Sequence, residues 1–228
     1  MTVITISRQY GSGGDEIADQ LCQLLGYRHF DKRMIAQAAL EAGLSEAEIA
    51  GFSKYSEENY KVVTFLDRLF RRAGRAAHPN NVKEDAVTGL LIEEKLFNEA
   101  SALSLVQNAI KVAYKSDNII IIGRGGQVIL RNHPNVLHVR IEAPMEDRIK
   151  RVEERMKEEG RTSSTSYGLW LNARDLILEK DSSSADYVRL FYGENWADIG
   201  LYHVILNTGK ISIANCSKII ADMVHRLF

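Results

Sequence analysis

The chain has 228 residues, 45% of them hydrophobic and 26% charged, with a formal net charge of −1. That length holds one large domain with a sizeable core, and the charge balance argues against a protein that coats nucleic acid or an anionic membrane. Its two cysteines, Cys22 and Cys216, match no metal or redox spacing, and no run is long enough to span a membrane, so a reducing, cytoplasmic setting is expected.

A β-rich run opens at Val3 and breaks into Ser7-Arg8-Gln9-Tyr10-Gly11-Ser12-Gly13-Gly14. It then turns helical over 13–25, with Ile17, Ala18, Leu21 and Leu25 on one face. Strand, glycine loop and helix together aim free backbone N–H groups at an anion. The helix terminus adds about half a positive charge, and glycines let a phosphate approach the backbone closely. The P-loop signature, G-x-x-x-x-G-K-[ST], is not met. Arg8 stands at its first glycine, Gly14 at its lysine, and Asp15 at the hydroxyl residue that follows. This is a phosphate loop without its usual cation.

A weak strand over 27–30 comes next, ending at Asp31-Lys32. Asp31 suits a ligand's hydrogen bonds or a helix cap, and Lys32 suits an acceptor phosphate or solvent. Helical patterns follow over 32–41, from the capping box Ser45-Glu46-Ala47-Glu48, over 58–73 and over about 86–114. Residues 75–85, with His78-Pro79-Asn80-Asn81, read as a loop. The block 45–115 holds no strand pattern and reads as a helical insert or cover. Its helices, 58–114, are the candidate surface for a homodimer. The stripe Arg68, Arg71, Arg72 and Arg75 reads as a solvated or partner-facing face.

The next buried strand, 118–122, ends in Gly123-Arg124-Gly125-Gly126, which places one guanidinium at a strand tip. Arginine binds phosphate in a bidentate way, and the flanking glycines clear space for a ligand. A surface arginine in a strand–helix turn is the competing reading. A further strand covers 136–141. The helix at 145–159 begins with Pro144, Glu146 and Asp147, all suited to a helix start, and carries Arg148, Arg151 and Arg155 on one face. A solvated face of Glu–Arg pairs competes with a functional one here. The polar loop 160–167, a helix over 168–179 and the run from Lys180 through Asp181 to Arg189 make the stretch 144–195 read as a helical lid over phosphates. Tyr192, Trp196 and Tyr202 read as core rather than a stacking platform, and His133 and His138 lack metal-ligand company. A strand at 202–206 and a helix at 213–227 close the chain. Alternating strands and helices predict an α/β fold with the ligand at the carboxyl ends of the strands.

Taken together, these stretches resemble the cytidylate kinase-like family of the P-loop nucleoside monophosphate kinase group. The resemblance rests on ITISRQYGSGGDEIA, LGYRHFDKRMI, IIIIGRGGQVIL, VLHVRIEAPMEDRIKRV and EKDSSSADYVRLFYGENWADIGLYHVILNTGK, in the family's order. It implies a three-layer P-loop kinase fold with a five-stranded parallel sheet, a helical insert and a helical lid in a single domain over 1–228. It also implies Mg²⁺-dependent phosphoryl transfer from ATP to a nucleoside monophosphate, with CMP or dCMP the inherited acceptor. Ser7, Gly11, Ser12, Gly13, Gly14 and Asp15 would then cradle the donor phosphates. Asp31, Lys32 and Arg124 would meet the acceptor, and Arg151, Arg155 and Asp181 would fall in the lid. Authentic cytidylate kinases have a lysine at Gly14, a hydroxyl residue at Glu16, an aspartate at Gly125, and arginines at Gln37 and Ser184.

The chemistry needs positioned charge above all. Arg8 is expected to stand in for the lysine, helped by Arg151, Arg155 and Arg189, with Mg²⁺ held through water by Glu16 or Asp15. A nucleotide-binding sensor or scaffold without turnover is the second reading. A dinucleotide-binding fold is the third. Gly11-x-Gly13 with Asp31 imitates its fingerprint, but Glu16 stands at the third glycine.

Overall fold

The computed structural model describes residues 2–30, 34, 103–161 and 165–228. By internal contacts the chain divides into two compact units, 1–29 with 117–228, and 30–116. Apart from Met34, which is helical, the expected helices at 32–41 and 58–73, the capping box, the 75–85 loop, the basic stripe, Asp31, Lys32, and all of 86–114 before residue 103 lie outside the described residues. In the second unit, residues 103–115 are helical (α2 here), and Val106, Ala109, Ile110 and Ala113 are buried at helical spacing.

The first unit is built on β1 (Val3–Arg8), β2 (Arg28–His29), β3 (Ile119–Ile122), β4 (Val136–Glu142) and β5 (Val204–Asn207). They form one parallel sheet in the order β2-β3-β1-β4-β5. Central β1 pairs Val3 with both Ile119 and Val136, so the carboxyl ends of β1, β3 and β4 come side by side. The expected five-stranded parallel α/β architecture is therefore present. The helices of this unit are α1 (Gly14–Leu25), α3 (Gly126–Ile129), α4 (Met145–Glu158), α5 (Ser166–Tyr192) and α6 (Ile213–Leu227).

Strand alternation sorts the two faces of the sheet. Ile4, Ile6, Ile120, Leu137, Val139 and Ile141 pack with Ile17, Ala18 and Leu21 of α1 and Cys216, Ile220 and Val224 of α6. Ile17 and Leu21 are fully buried, as expected from their spacing on one helix face. The other face carries Thr5, Ser7, His138 and Arg140, all buried. The register sets Thr5 against His138 and Ser7 against Arg140. Thr5, Ser7 and Arg140 find polar partners inside the protein, whereas His138 does so only through Nδ1, its buried Nε2 having no partner among the described residues. Thr5 Oγ1 lies 2.7 Å from His138 Nδ1, and His138 stacks on His203 with ring centroids 5.0 Å apart.

Two elements differ from the sequence expectation. The last strand starts at Val204 rather than 202, because a 3₁₀ turn, Ile199–Leu201, occupies the approach and Tyr202 caps it. The helix expected at 168–179 is a single helix running to Tyr192. Ser183 and Ser184 donate their hydroxyls to the carbonyls four residues back, so the serines that read as a break instead satisfy the helix from within.

Burial, and then the neighbouring His203, lowers the pKa of His138 from 6.5 to about 4. The folded protein therefore holds it neutral, while the unfolded chain takes up a proton as the pH falls below about 6.5. The stability tied to neutral His138 is complete above that pH and is lost on descent towards pH 4, by about 2–3 kcal/mol. Urea unfolding at pH 7 and pH 4.5 should show His138→Gln losing less stability than the wild type by roughly that amount. Parallel losses would remove His138 from the acid response.

Candidate phosphate-binding site

The loop between β1 and α1 is shaped by two left-handed glycines. Gly11 has φ 77° and Gly13, the N-cap of α1, has φ 84°. A side chain at either would also collide with the structure: a Cβ on Gly11 would lie 2.9 Å from Val152 Cγ2, and one on Gly13 2.6 Å from Ile213 Cδ1. Conformation and space both demand glycine here. Gly14 differs. Its backbone is helical, and what it accommodates is Arg8, whose Cβ would lie 2.6 Å from a Cβ at Gly14. The Arg8 guanidinium pairs with Asp15, Nη2 to Oδ1 at 3.1 Å, and its Nη1 would be 3.1 Å from a Cβ on Gly123 in the neighbouring turn. Arg8 thus lies across the first turn of α1, between the tips of β1 and β3.

The turn after β3 is wound through three successive left-handed residues, Gly123 (φ 65°), Arg124 (φ 56°) and Gly125 (φ 71°). That conformation costs an arginine more than it costs a glycine. Gly125 is required because a Cβ would lie 2.6 Å from the Tyr192 ring. The Tyr187 phenol is pushed well above the usual tyrosine range by burial and by Tyr192, and Arg124 opposes that rise, so Arg124 stands near this aromatic pair.

The arginines of α4 meet the loop from the other side. Arg148 is buried, donates to Asp181 of α5 at 2.5 Å, and reaches the Tyr10 carbonyl at 3.4 Å. Asp181 accepts the Tyr10 backbone N–H at 2.8 Å with its other oxygen. Arg151 donates to the Gly11 carbonyl at 3.3 Å and to Thr208 at 2.9 and 3.1 Å, while Thr208 Oγ1 donates to the Ser12 carbonyl at 2.6 Å. The Arg155 guanidinium sits 5.4 Å above the Tyr10 ring. A solvated face of Glu–Arg pairs is excluded for Arg148. α4 and α5 share a small core of Ile149, Val152, Met156, Leu169, Ala173 and Ile177, and grip Tyr10 and Gly11 through polar bonds.

The other singled-out residues are distributed as follows. The Ser7 hydroxyl is buried and accepts from Trp196 Nε1 at 2.8 Å and Tyr202 OH at 3.1 Å, so it faces the core. Ser12 is fully buried, and its hydroxyl finds no partner among the described residues. Arg189 is exposed and pairs with Asp186 on its own helix at 2.6 Å. Glu16 is exposed in the first turn of α1.

Two features escaped the sequence reading. Thr208, just past β5, holds both Arg151 and the loop; its place beyond a strand's carboxyl end was the available signal. Arg140 is buried between Trp196 (4.3 Å to the ring centroid) and Tyr202 (5.4 Å), and donates to Glu142 and to the Trp196 carbonyl. Trp196 is buried, as expected of a core residue, and both rings pack against the protein's own arginine.

A glycine turn at a helix N-terminus thus lies beside a second glycine turn bearing an arginine, both at the carboxyl edge of a parallel α/β sheet. The chain belongs to the cytidylate kinase-like family, whose model matches residues 3–210. That membership supports phosphoryl transfer as the class of chemistry. Among solved structures, an uncharacterized protein from Eubacterium ventriosum ATCC 27560 is 16% identical, with a TM-score of 0.61 and 99% of each chain covered, which shows a shared fold. Shikimate kinase from Acinetobacter baumannii, solved with shikimate, is 13% identical over 99% of this chain and 94% of that one, with a TM-score of 0.44. Deoxyadenosine kinase from M. mycoides, solved with dATP, is 12% identical over 98% of this chain and 100% of that one, with a TM-score of 0.41. No curated protein sequence matches the chain. Among the described residues, no helix is long and apolar enough to cross a membrane, and no group of three or more His, Cys, Asp or Glu side chains could hold a metal ion.

Proposed function

We propose that the chain is a nucleoside monophosphate kinase that binds ATP phosphates on the β1–α1 loop, with CMP or dCMP the acceptor inherited from the family resemblance. The observation that carries the reading is the course of Arg8. It passes over Gly14, where kinases of this group carry their lysine, and brings a permanent cation to the first turn of α1. The amides of residues 11–15 then supply the cradle, Arg8 the charge over the transferred group, and Arg151 and Arg155 the rigidity of the loop. Arg189, Ser7 and Ser12 are assigned supporting parts, Lys32 and Arg124 the acceptor phosphate, and Asp31 hydrogen bonds from the acceptor ligand.

The donor set for Mg²⁺ fits a metal held mainly by phosphates and water: Glu16 is an exposed carboxylate on the first turn of α1, while Asp15 is engaged by Arg8. When bound, Mg²⁺ neutralises charge on the phosphates. A sensor or scaffold of the same fold remains the second reading, favoured by the absent lysine. A cytoplasmic location and a homodimer through 58–114 complete the proposal.

The deciding experiment is a screen of all ribo- and deoxyribonucleoside monophosphates with ATP and Mg²⁺, run beside direct ATP binding. Transfer to one acceptor supports the kinase. Tight nucleotide binding with no transfer to any acceptor favours the sensor, and no nucleotide binding rejects both. For Arg124, loss of a charge-assisted phosphate contact costs about 1.5–3 kcal/mol, roughly ten- to hundredfold in affinity. Arg124→Ala should weaken monophosphate binding by that factor and leave ATP affinity nearly unchanged in calorimetry. Equal losses for both ligands would move Arg124 to the donor site or to a structural role.

A further inference from the structure

The cation that crosses the phosphate loop is already held by an anion of the same loop. Arg8 Nε and Nη2 both lie 3.1 Å from Asp15 Oδ1, and Asp15 directly follows Gly14. The Arg8 stem is packed over Gly14, which holds the guanidinium beside the first turn of α1. The two side chains are 31% and 50% exposed, so solvent and an incoming anion can reach the pair. Asp15 also lies in the helix's first turn, where a carboxylate takes up part of the positive field that a phosphate would use. Another polar group of the turn, the Ser12 hydroxyl, is fully buried and finds no partner among the described residues.

We propose that Asp15 is a built-in competitor for the phosphate: it neutralises Arg8 in the unliganded protein, and a polyphosphate binds by displacing it. This deepens the reading of the loop as the donor-phosphate site and rests on that reading. A carboxylate on Arg8 satisfies the guanidinium while no ligand is bound. It also sets a threshold, because each anion must break that pair and then remain beside the displaced carboxylate. The opposite role is physically distinct. If Asp15 only oriented Arg8 for a ligand, removing its charge would weaken binding.

The test is calorimetric titration of ATP and of inorganic tripolyphosphate, both with excess EDTA so that no metal bridges Asp15 to the phosphates. Wild type is compared with Asp15→Asn and Asp15→Ser, whose folding is checked by thermal unfolding. Both variants keep a polar first-turn residue without the charge. The expected result is binding tightened roughly three- to tenfold for both ligands in every folded variant, or binding detectable in the variants alone. Unchanged or weaker binding in a folded variant, with the wild type binding normally, overturns the competitor role and leaves the donor site standing. Absence of binding in the wild type and both variants overturns the donor-site reading, and the competitor role with it.

Discussion

Replacing Arg8 with alanine should lower phosphoryl transfer by roughly a hundredfold and leave the melting temperature nearly unchanged, because a positioned charge over a transferred phosphoryl group contributes several kcal/mol to the barrier. Its ion pair with Asp15 is part-exposed at both ends and contributes little to stability. The partner substitution is Gly14→Lys, which restores the lysine of the usual signature. Gly14 has ordinary helical geometry, so backbone strain does not forbid the change. Space does: the new Cβ would lie 2.6 Å from Arg8 Cβ and 2.8 Å from its Cγ. One of the two cations must leave, at a cost of about 1–3 kcal/mol for the overpacked stem. Gly14→Lys should therefore bind ATP more weakly and turn over more slowly, as measured by calorimetry and a coupled assay. Normal turnover in Arg8→Ala together with a gain in Gly14→Lys would mean that the loop is a decayed P-loop and that Arg8 replaces nothing.

The largest stability effect is expected at Asp181. Its two oxygens hold the Tyr10 amide and Arg148, whose side chain is only 6% exposed. Asp181→Ala strands a buried guanidinium, and breaking such a pair from one side costs about 3–5 kcal/mol. Urea unfolding should show a loss near the lower figure, since Arg148 keeps the Tyr10 carbonyl. Asp181→Asn retains an acceptor for the Tyr10 N–H and should lose less. A loss below about 1 kcal/mol in Asp181→Ala would show that Arg148 finds another partner, and that α5 does not fix the loop through this contact.

The paired departures at Arg8 and Gly14 explain why the site was only partly legible. Each is an exception to the P-loop pattern when taken alone. They become one feature when the side chain of Arg8 is seen filling the space that glycine leaves. Sequence spacing placed Arg148, Arg151 and Arg155 on a common face but could not separate their surroundings. Arg148 is buried on Asp181, Arg151 bridges Gly11 and Thr208, and Arg155 covers Tyr10. These partners lie at sequence separations of 33 to 140 residues for the bonded pairs, beyond the reach of any local pattern.

By itself the sequence determined the elements and the class. Short β-branched apolar runs such as Ile119–Ile122 favour strands buried on both faces. Helical periodicity fixed α1 to within a residue and α6 at both ends, and the glycines marked the turn that opens α1. Tertiary structure alone decided which charges serve that loop. It set Ser7 facing Trp196 and Tyr202, and packed Arg140 against two aromatic rings. The physical reason is range. Propensity and periodicity act over one or two turns of chain, whereas a guanidinium chooses among acceptors that only the closed sheet and its packed helices bring within about 3 Å.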